Sequence, residues 1–588
     1  MASVPLQDRQ QIINRRLPFV IGFLLVVSGG LLVSVSRYQW LPPSVEREFI
    51  AQAQRNTSSL RRLPAERGII YDRDGEPLAF NTIEYEVGVS ANLIVPSRRV
   101  EIARQLAVIL NIDEVRILNQ LNTNAPWQLI ARPVSAEVGQ RIADLNIFGV
   151  ILNPIQKRYY PQGDLAAQVI GFTIPDNNDV TRGALGVEAY YNSVLSGQTL
   201  TERVRNVPFE LPDNERQTAQ RGTSLVLTID RDLQFWVEEQ LRAAIEQTGS
   251  TRGTIILMNP RTGDILAMAS YPNFDPNNFA QVSDPRLLRN PAISDLYEPG
   301  SVMKVITVAA ALELGVATPD WTYNDTGTLT VGGINVRNWD RNAYGVVDIT
   351  TMLVQSLNVG AAQLALNMGP ERFYSQMRAF GFGLPTRVDL PGEEAGIMRI
   401  PGEPDWSESN LATNAYGQGI SVTPLQMLTA VNAIANDGLM MQPRIVLQKI
   451  DGESVVNSDV TALGRVISQQ TADAVTAMMI RVVEDENGVG LARLPGYSIA
   501  GKTGTAQIPT ATGYEPNASI VSFVGFLPAD DPQVSIIVRL DRPRDYWGSR
   551  VAAPVFRRLA ERLVILMGIP NDEVRLRLRS MGGNTSGQ

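Results

Sequence analysis

The hydrophobic pattern of the chain is unbroken at one place. From Leu17 to Ser36 (LPFVIGFLLVVSGGLLVSVS) there is no charged residue. As a helix rising 1.5 Å per residue this stretch is about 30 Å long, the thickness of a hydrocarbon core. A cleaved signal peptide has a shorter apolar region, roughly 7–15 residues, ahead of a small-residue cleavage site. Here Arg37-Tyr38-Gln39-Trp40 follows, with two aromatics suited to a membrane interface. The pattern predicts an uncleaved anchor. Arg9, Arg15 and Arg16 precede it and Arg37, Arg47 and Arg55 follow it, so charge alone does not orient it.

Beyond the anchor the pattern breaks into short runs. RGIIYDRDGEPLAFN (67–81) predicts two strands about an Asp74-Gly75 turn. Helices are expected over 98–111 and 135–145. The polar, proline-broken stretch 207–222 has the composition of a hinge. A strand is expected over Leu225–Ile229, with Asp230 capping the helix that begins RDLQFWVEEQL. Thr254–Met258, the turn NPRTG and Ile265–Ser270 form a predicted hairpin. Helices follow over 301–314, 348–367 and 423–437, the last opening with Thr423-Pro424 as cap and first-turn proline. Ser519–Phe526 and Val534–Leu540 are strand-like, and the tail MGGNTSGQ has no structural signal. Strands at both ends with helices between them predict an α/β domain with a largely antiparallel sheet.

Composition narrows the class. The chain of 588 residues is 44% hydrophobic and 19% charged, which suits two to four globular domains. A net charge of −8 and the lack of a clustered Lys/Arg stripe exclude a nucleic-acid partner from the expectation. There is no cysteine and no histidine, so neither a zinc or copper site nor a disulfide is expected, and no metal or cofactor is implied.

The missing histidine sharpens the reading of YEPGSVMKVITVAAAL (297–312). A lysine three residues after a serine lies on the same helix face, within reach of its hydroxyl. A serine at a helix N-terminus also meets free backbone N–H groups and the positive end of the dipole. For Lys304 to take a proton from Ser301 it must be partly neutral. Moving a lysine from its ordinary pKa of about 10.4 to near 7 corresponds to about 4.6 kcal/mol. Burial among Val302, Met303, Val305 and Ile306 is able to supply that, and a second cation nearby adds to it. The plainer alternative is a lysine that snorkels from a core helix.

Two further motifs favour chemistry. Ser356-Leu357-Asn358 lies in TTMLVQSLNVGAAQLAL, and Lys502-Thr503-Gly504-Thr505 in the strand-like SIAGKTGTAQI. S-x-x-K, S-x-N and K-T-G in this order resemble the penicillin-recognising acyl-serine transferases. Within them the chain is most similar to the class B penicillin-binding proteins, the monofunctional peptidoglycan D,D-transpeptidases. The likeness extends to RGIIYDRDGEPLA (67–79), RYYPQGDLAAQVIGFT (158–173) and GALGVEAYYNSVLSG (183–197), which match the non-catalytic pedestal of that class. There Arg67 and Asp72 are expected in ion pairs. YEPGS, NWD (338–340) and FGFGLPTRVDLPGE (380–393) are more similar to the septal, division type than to the elongation type.

The resemblance implies a penicillin-binding transpeptidase domain (antiparallel sheet flanked by helices), a mixed α+β pedestal and one transmembrane helix. The implied organisation is a cytoplasmic tail (1–16), anchor (17–36), stalk (37–62), pedestal (63–222), transpeptidase domain (223–570) and tail (571–588). Ser301 would attack the carbonyl between two D-alanines, Lys304 would take its proton, and Ser356 would relay it to the leaving amine. Asn358 would bind the substrate's amide, and Lys502, Thr503 and Thr505 its carboxylate. Gly504 would let the substrate backbone approach the strand, and the N–H groups of Ser301 and Thr505 would form the oxyanion hole. The implied partners are peptidoglycan stem peptides, β-lactams and a SEDS-family membrane glycan polymerase, with the bulk of the chain outside the membrane. An elongation-type transpeptidase, a D,D-carboxypeptidase, a β-lactamase or sensor, and a silent scaffold are the alternatives.

Overall fold

The structure is a computed structural model, and it describes residues 6–39, 58–63, 65–123, 125–175, 181–198, 200–205, 220–510 and 513–582. These fall into two units. The first holds one helix, Leu6–Gln39, and an antiparallel pair of strands, Ser58–Leu63 with Leu200–Arg205. Within that helix Leu17–Ser36 has a mean hydropathy of 2.4 and is fully exposed, so its length and composition suit a membrane. The stalk reading falls largely on 40–57 and the hinge reading largely on 206–219, both outside the described residues.

The second unit is built on two sheets. In the larger one the order is Ser454–Asn457, Val446–Asp451, Ser224–Leu227, Ile70–Tyr71, Pro77–Val89 and Gln128–Val134, with Val150–Tyr159 also on Pro77–Val89. Ile70–Tyr71 runs parallel to Ser224–Leu227 and joins the early strands to the later ones. The Asp74-Gly75 turn is as expected, with Gly75 in the left-handed region at φ +90°. Among the described residues Asp72 has no ion pair: its carboxylate accepts the backbone N–H groups of Asp74, Glu76 and Arg231. A short carboxylate at a turn satisfies local N–H donors better than a distant cation.

Arg67 does pair. Its Nε donates to Glu188 Oε2 at 2.7 Å, while Arg158 Nε donates to Glu188 Oε1 at 2.6 Å. Glu188 is fully buried. Burial pushes its pKa up, but Arg158 and Arg67 outweigh that and hold it below the ordinary value. One buried carboxylate thus ties together three separate stretches of the chain.

The smaller sheet is fully antiparallel, in the order Ile265–Tyr271, Arg252–Met258, Val534–Asp541, Gly513–Leu527 and Ala500–Thr510. Every residue of Val534–Asp541 is buried, the pattern of a central strand covered on both faces. Arg231–Thr248 and Gly548–Leu566 pack on it, as does Pro424–Ala435, which opens with a capping box between Thr423 and Gln426.

Two elements depart from the sequence expectation. The predicted helix 348–367 is two helices, Ile349–Val354 and Asn358–Met368. Ser356 sits between them in the left-handed region at φ +58°. The second helix starts afresh because Asn338 Oδ1 accepts the N–H groups of Asn358 and Val359. Beyond residue 571 the chain is not a bare tail. Asp572–Gly582 is helical, and its buried Arg575 pairs with Asp530 and Asp572. Residues 583–588 lie outside the described residues.

Candidate active site

The approach to Ser301 is set by a glycine. Gly300 has φ +56°, and a Cβ there would lie 2.7 Å from the Thr505 carbonyl oxygen. Only a residue without a side chain lets this turn pass against the strand Ala500–Thr510. Gly300 N–H donates to the Gly417 carbonyl at 3.0 Å, and a short 3₁₀ turn, Gly300–Val302, leads into the helix Met303–Glu313.

Lys304 is wholly buried in the first turn of that helix. Its Nζ lies 2.9 Å from Ser301 Oγ, 3.1 Å from Ser356 Oγ and 2.6 Å from the Ser356 carbonyl oxygen. A neutral amine has two N–H donors and one lone pair. The two oxygens of Ser356 take the donors, which leaves the lone pair for the Ser301 O–H. The break at Ser356 is what brings its carbonyl here, since in a continuous helix that oxygen would accept an N–H four residues on.

Lys502 is almost fully buried on the facing strand, and its Nζ lies 3.1 Å from the same Ser356 Oγ. Burial pushes the Lys502 pKa down to about 7. Lys304 is pushed well below its ordinary value by burial and, second, by the charge of Lys502. Among the described residues neither lysine has a carboxylate partner, so nothing offsets the cost of charging both.

Asn358 begins the second helix, with its Nδ2 donating to the Arg337 carbonyl at 2.8 Å. Ser301, Ser356, Asn358, Lys502, Thr503 and Thr505 line one cavity of about 570 Å³. Lys304 lies behind that surface. Among the described residues no group of three or more Asp, Glu, His or Cys could hold a metal ion.

Residues 253–561 match the penicillin-binding protein transpeptidase domain family, and residues 62–227 match the penicillin-binding protein dimerisation domain. The first match spans more than half of the chain. The chain belongs to the penicillin-binding protein transpeptidase family. Penicillin-binding protein PbpB of Mycolicibacterium smegmatis is 35% identical to it, over 86% of this chain and 84% of that one. Peptidoglycan D,D-transpeptidase FtsI of Buchnera aphidicola is 30% identical, over 93% and 95%. The crystal structure of penicillin-binding protein 3 from Mycobacterium tuberculosis with aztreonam superposes with a TM-score of 0.67. It is 30% identical, covering 87% of this chain and 98% of that one.

Within this transpeptidase fold one residue plays a different part from that expected. A Cβ on Gly504 would meet Ser522 Oγ and lie 2.6 Å from the Pro299 carbonyl oxygen. Gly504 therefore lets the strand sit against the nucleophile's own turn; the space it leaves is filled by protein, not open to substrate.

Several residues that support the site escaped the sequence reading. Buried Asn338 caps the Asn358 helix, and Trp339 Nε1 donates to the Gln355 carbonyl at 3.0 Å. Both lie in NWD, a stretch noticed only as a mark of subtype. Glu298, three residues before Ser301, accepts the Gly419 N–H at 2.9 Å and the Tyr514 hydroxyl at 3.2 Å. Burial raises its pKa. It links the serine's turn to the hairpin beyond Lys502, a long-range contact with no local signal.

Proposed function

We propose that this chain is a serine peptidoglycan D,D-transpeptidase that is acylated by β-lactams and crosslinks stem peptides, in septal wall synthesis. The observation that carries the reading is a buried Lys304 amine 2.9 Å from Ser301 Oγ, with no carboxylate partner among the described residues. Ser301 attacks the carbonyl of the penultimate D-alanine as its proton passes to Lys304. The oxyanion is met by the backbone N–H groups of Ser301 and Thr505, and the close approach of Gly300 to Thr505 supports that placement. The C–N bond then breaks, and Ser356, bonded to both lysines, returns a proton to the departing D-alanine amine. The amine of a second stem peptide attacks the ester, and the Ser301 oxygen leaves with the proton that amine loses.

Lys502, Thr503 and Thr505 hold the donor's terminal carboxylate by charge-assisted hydrogen bonds. Asn358 holds its amide. The anchor 17–36 keeps residues 63–222 (pedestal) and 223–570 (transpeptidase domain) on the extracytoplasmic side, with 1–16 in the cytoplasm. There a SEDS-family polymerase supplies the glycan strand. Septal action is favoured by the likeness to an FtsI relative across 93% of the chain. Fluorescent penicillin should label the protein and fail to label Ser301→Ala. With a donor peptide and an amine acceptor, D-alanine release should be matched by crosslinked product. Release into water alone would instead identify a carboxypeptidase.

A further inference from the structure

The charged lining of the cavity is of one sign. Lys502, Arg337 and Arg550 line it, and among the described residues no Asp or Glu does, in a chain of net charge −8. Arg337 ends the strand Ile334–Arg337 and is held beside the site, because its carbonyl accepts from Asn358 Nδ2. Its guanidinium is exposed and, among the described residues, has no carboxylate partner. Arg550 lies in the first turn of the helix Gly548–Leu566, where a cation opposes the helix dipole. Its ion pair with Asp545 is loose at 3.7 Å. Neither arginine is placed where it stabilises the fold.

The elements that carry them are both tied to the site. The N–H of Gly548 donates to Thr505 Oγ1 at 3.1 Å, which ties the helix start to the Lys-Thr-Gly strand. Trp339, two residues after Arg337, meets Trp547, three residues before Arg550, edge to face at 5.2 Å. The two elements that bring the arginines to the cavity thus meet through these rings. A cavity with this lining attracts a ligand with more than one negative charge.

We propose that Arg337 and Arg550 form a second anion subsite, which selects donor peptides that carry a free side-chain carboxylate in addition to the terminal one. The proposal rests on the transpeptidase reading above, in which Lys502, Thr503 and Thr505 take the terminal carboxylate. The guanidinium fork pairs with a carboxylate through two parallel hydrogen bonds, which a carboxamide of the same shape does not reproduce. A stem peptide whose third residue ends in a free carboxylate is then preferred over one in which that group is amidated or absent.

The test uses the full chain in detergent and two synthetic stem peptides, identical except for a carboxylate or a carboxamide on the third residue. D-Alanine release is measured for each, and the ratio is compared between proteins. Wild type should favour the carboxylate donor by about tenfold, and the preference should shrink as salt rises. In the double variant R337Q/R550Q the ratio should fall towards one. The single variants R337Q and R550Q carry the same ratio measurement should the double variant not be recovered. Equal rates in wild type, or a full preference kept in the variants, would overturn the subsite while penicillin labelling upholds the transpeptidase. A wild-type protein that neither releases D-alanine nor takes up fluorescent penicillin would overturn both.

Discussion

Lys304 and Lys502 share one acceptor: the Nζ of each lies 3.1 Å from the hydroxyl of Ser356. Two buried cations with a common partner and, among the described residues, no carboxylate cannot both stay charged cheaply, so their pKa values are driven apart. Burial and the charge of Lys502 push Lys304 well below its ordinary value, and burial brings Lys502 down to about 7. The state between, neutral Lys304 beside charged Lys502, holds a base for the serine and an anchor for the carboxylate at once.

A neutral Lys304 beside a charged Lys502 predicts the pH dependence of penicillin acylation. The second-order rate constant, which reports the free enzyme, should fall in acid as Lys304 takes up a proton. It should also fall in alkali as Lys502 loses one at about 7. In the first-order constant at saturation the alkaline limb should move upward, because bound carboxylate favours the charged lysine. Stopped-flow labelling across pH 4–10 checks both limbs.

Ser356 contributes its hydroxyl to that pair and its carbonyl to Lys304. Ser356→Ala keeps the carbonyl and removes the shared acceptor. It should slow acylation by about 10²-fold, the scale of one proton-transfer group. Ser356→Gly relieves the left-handed backbone at φ +58° as well. It should raise the melting temperature relative to Ser356→Ala without restoring the rate.

Gly504→Ala tests whether that glycine serves packing or substrate. The new methyl would lie 2.6 Å from the Pro299 carbonyl and against Ser522. Overpacking of this kind costs about 1–3 kcal/mol. The variant should melt lower and label slowly even with the smallest β-lactams. A normal melting temperature with a defect confined to long peptide donors would instead return Gly504 to the substrate-approach role.

Glu188→Gln leaves Arg67 and Arg158 buried without their anion. Removing one partner of a buried ionic cluster costs about 3–5 kcal/mol, which differential scanning should detect. Because the folded pKa of Glu188 is lowered, the cluster's contribution is complete above the unfolded carboxylate value of about 4.3. It is lost as pH falls through the lower, folded value. The wild-type protein should therefore lose stability in acid more steeply than the variant does.

What the sequence disclosed follows from how local each feature is. Ser301 and Lys304 are three residues apart, on a 3₁₀ turn and the helix it leads into, so their contact was legible from spacing. The Asp74-Gly75 turn and the Thr423 cap were legible for the same reason. The break at Ser356 was not, because it depends on Asn338 capping a helix that begins twenty residues later in the chain. The parallel pairing of Ile70 with Leu225 was hidden too, since no pattern links strands so far apart. Gly504 was expected to make room for substrate, and that a Cβ there would meet Ser522 and Pro299 instead is a tertiary fact with no local signal.

The central claim concerns a single amine. Lys304→Ala removes it while the motifs around it stay, and circular dichroism and melting should show a folded protein. Stopped-flow acylation of this variant by fluorescent penicillin should be about 10³–10⁴-fold slower than wild type. Labelling at the wild-type rate would contradict the account.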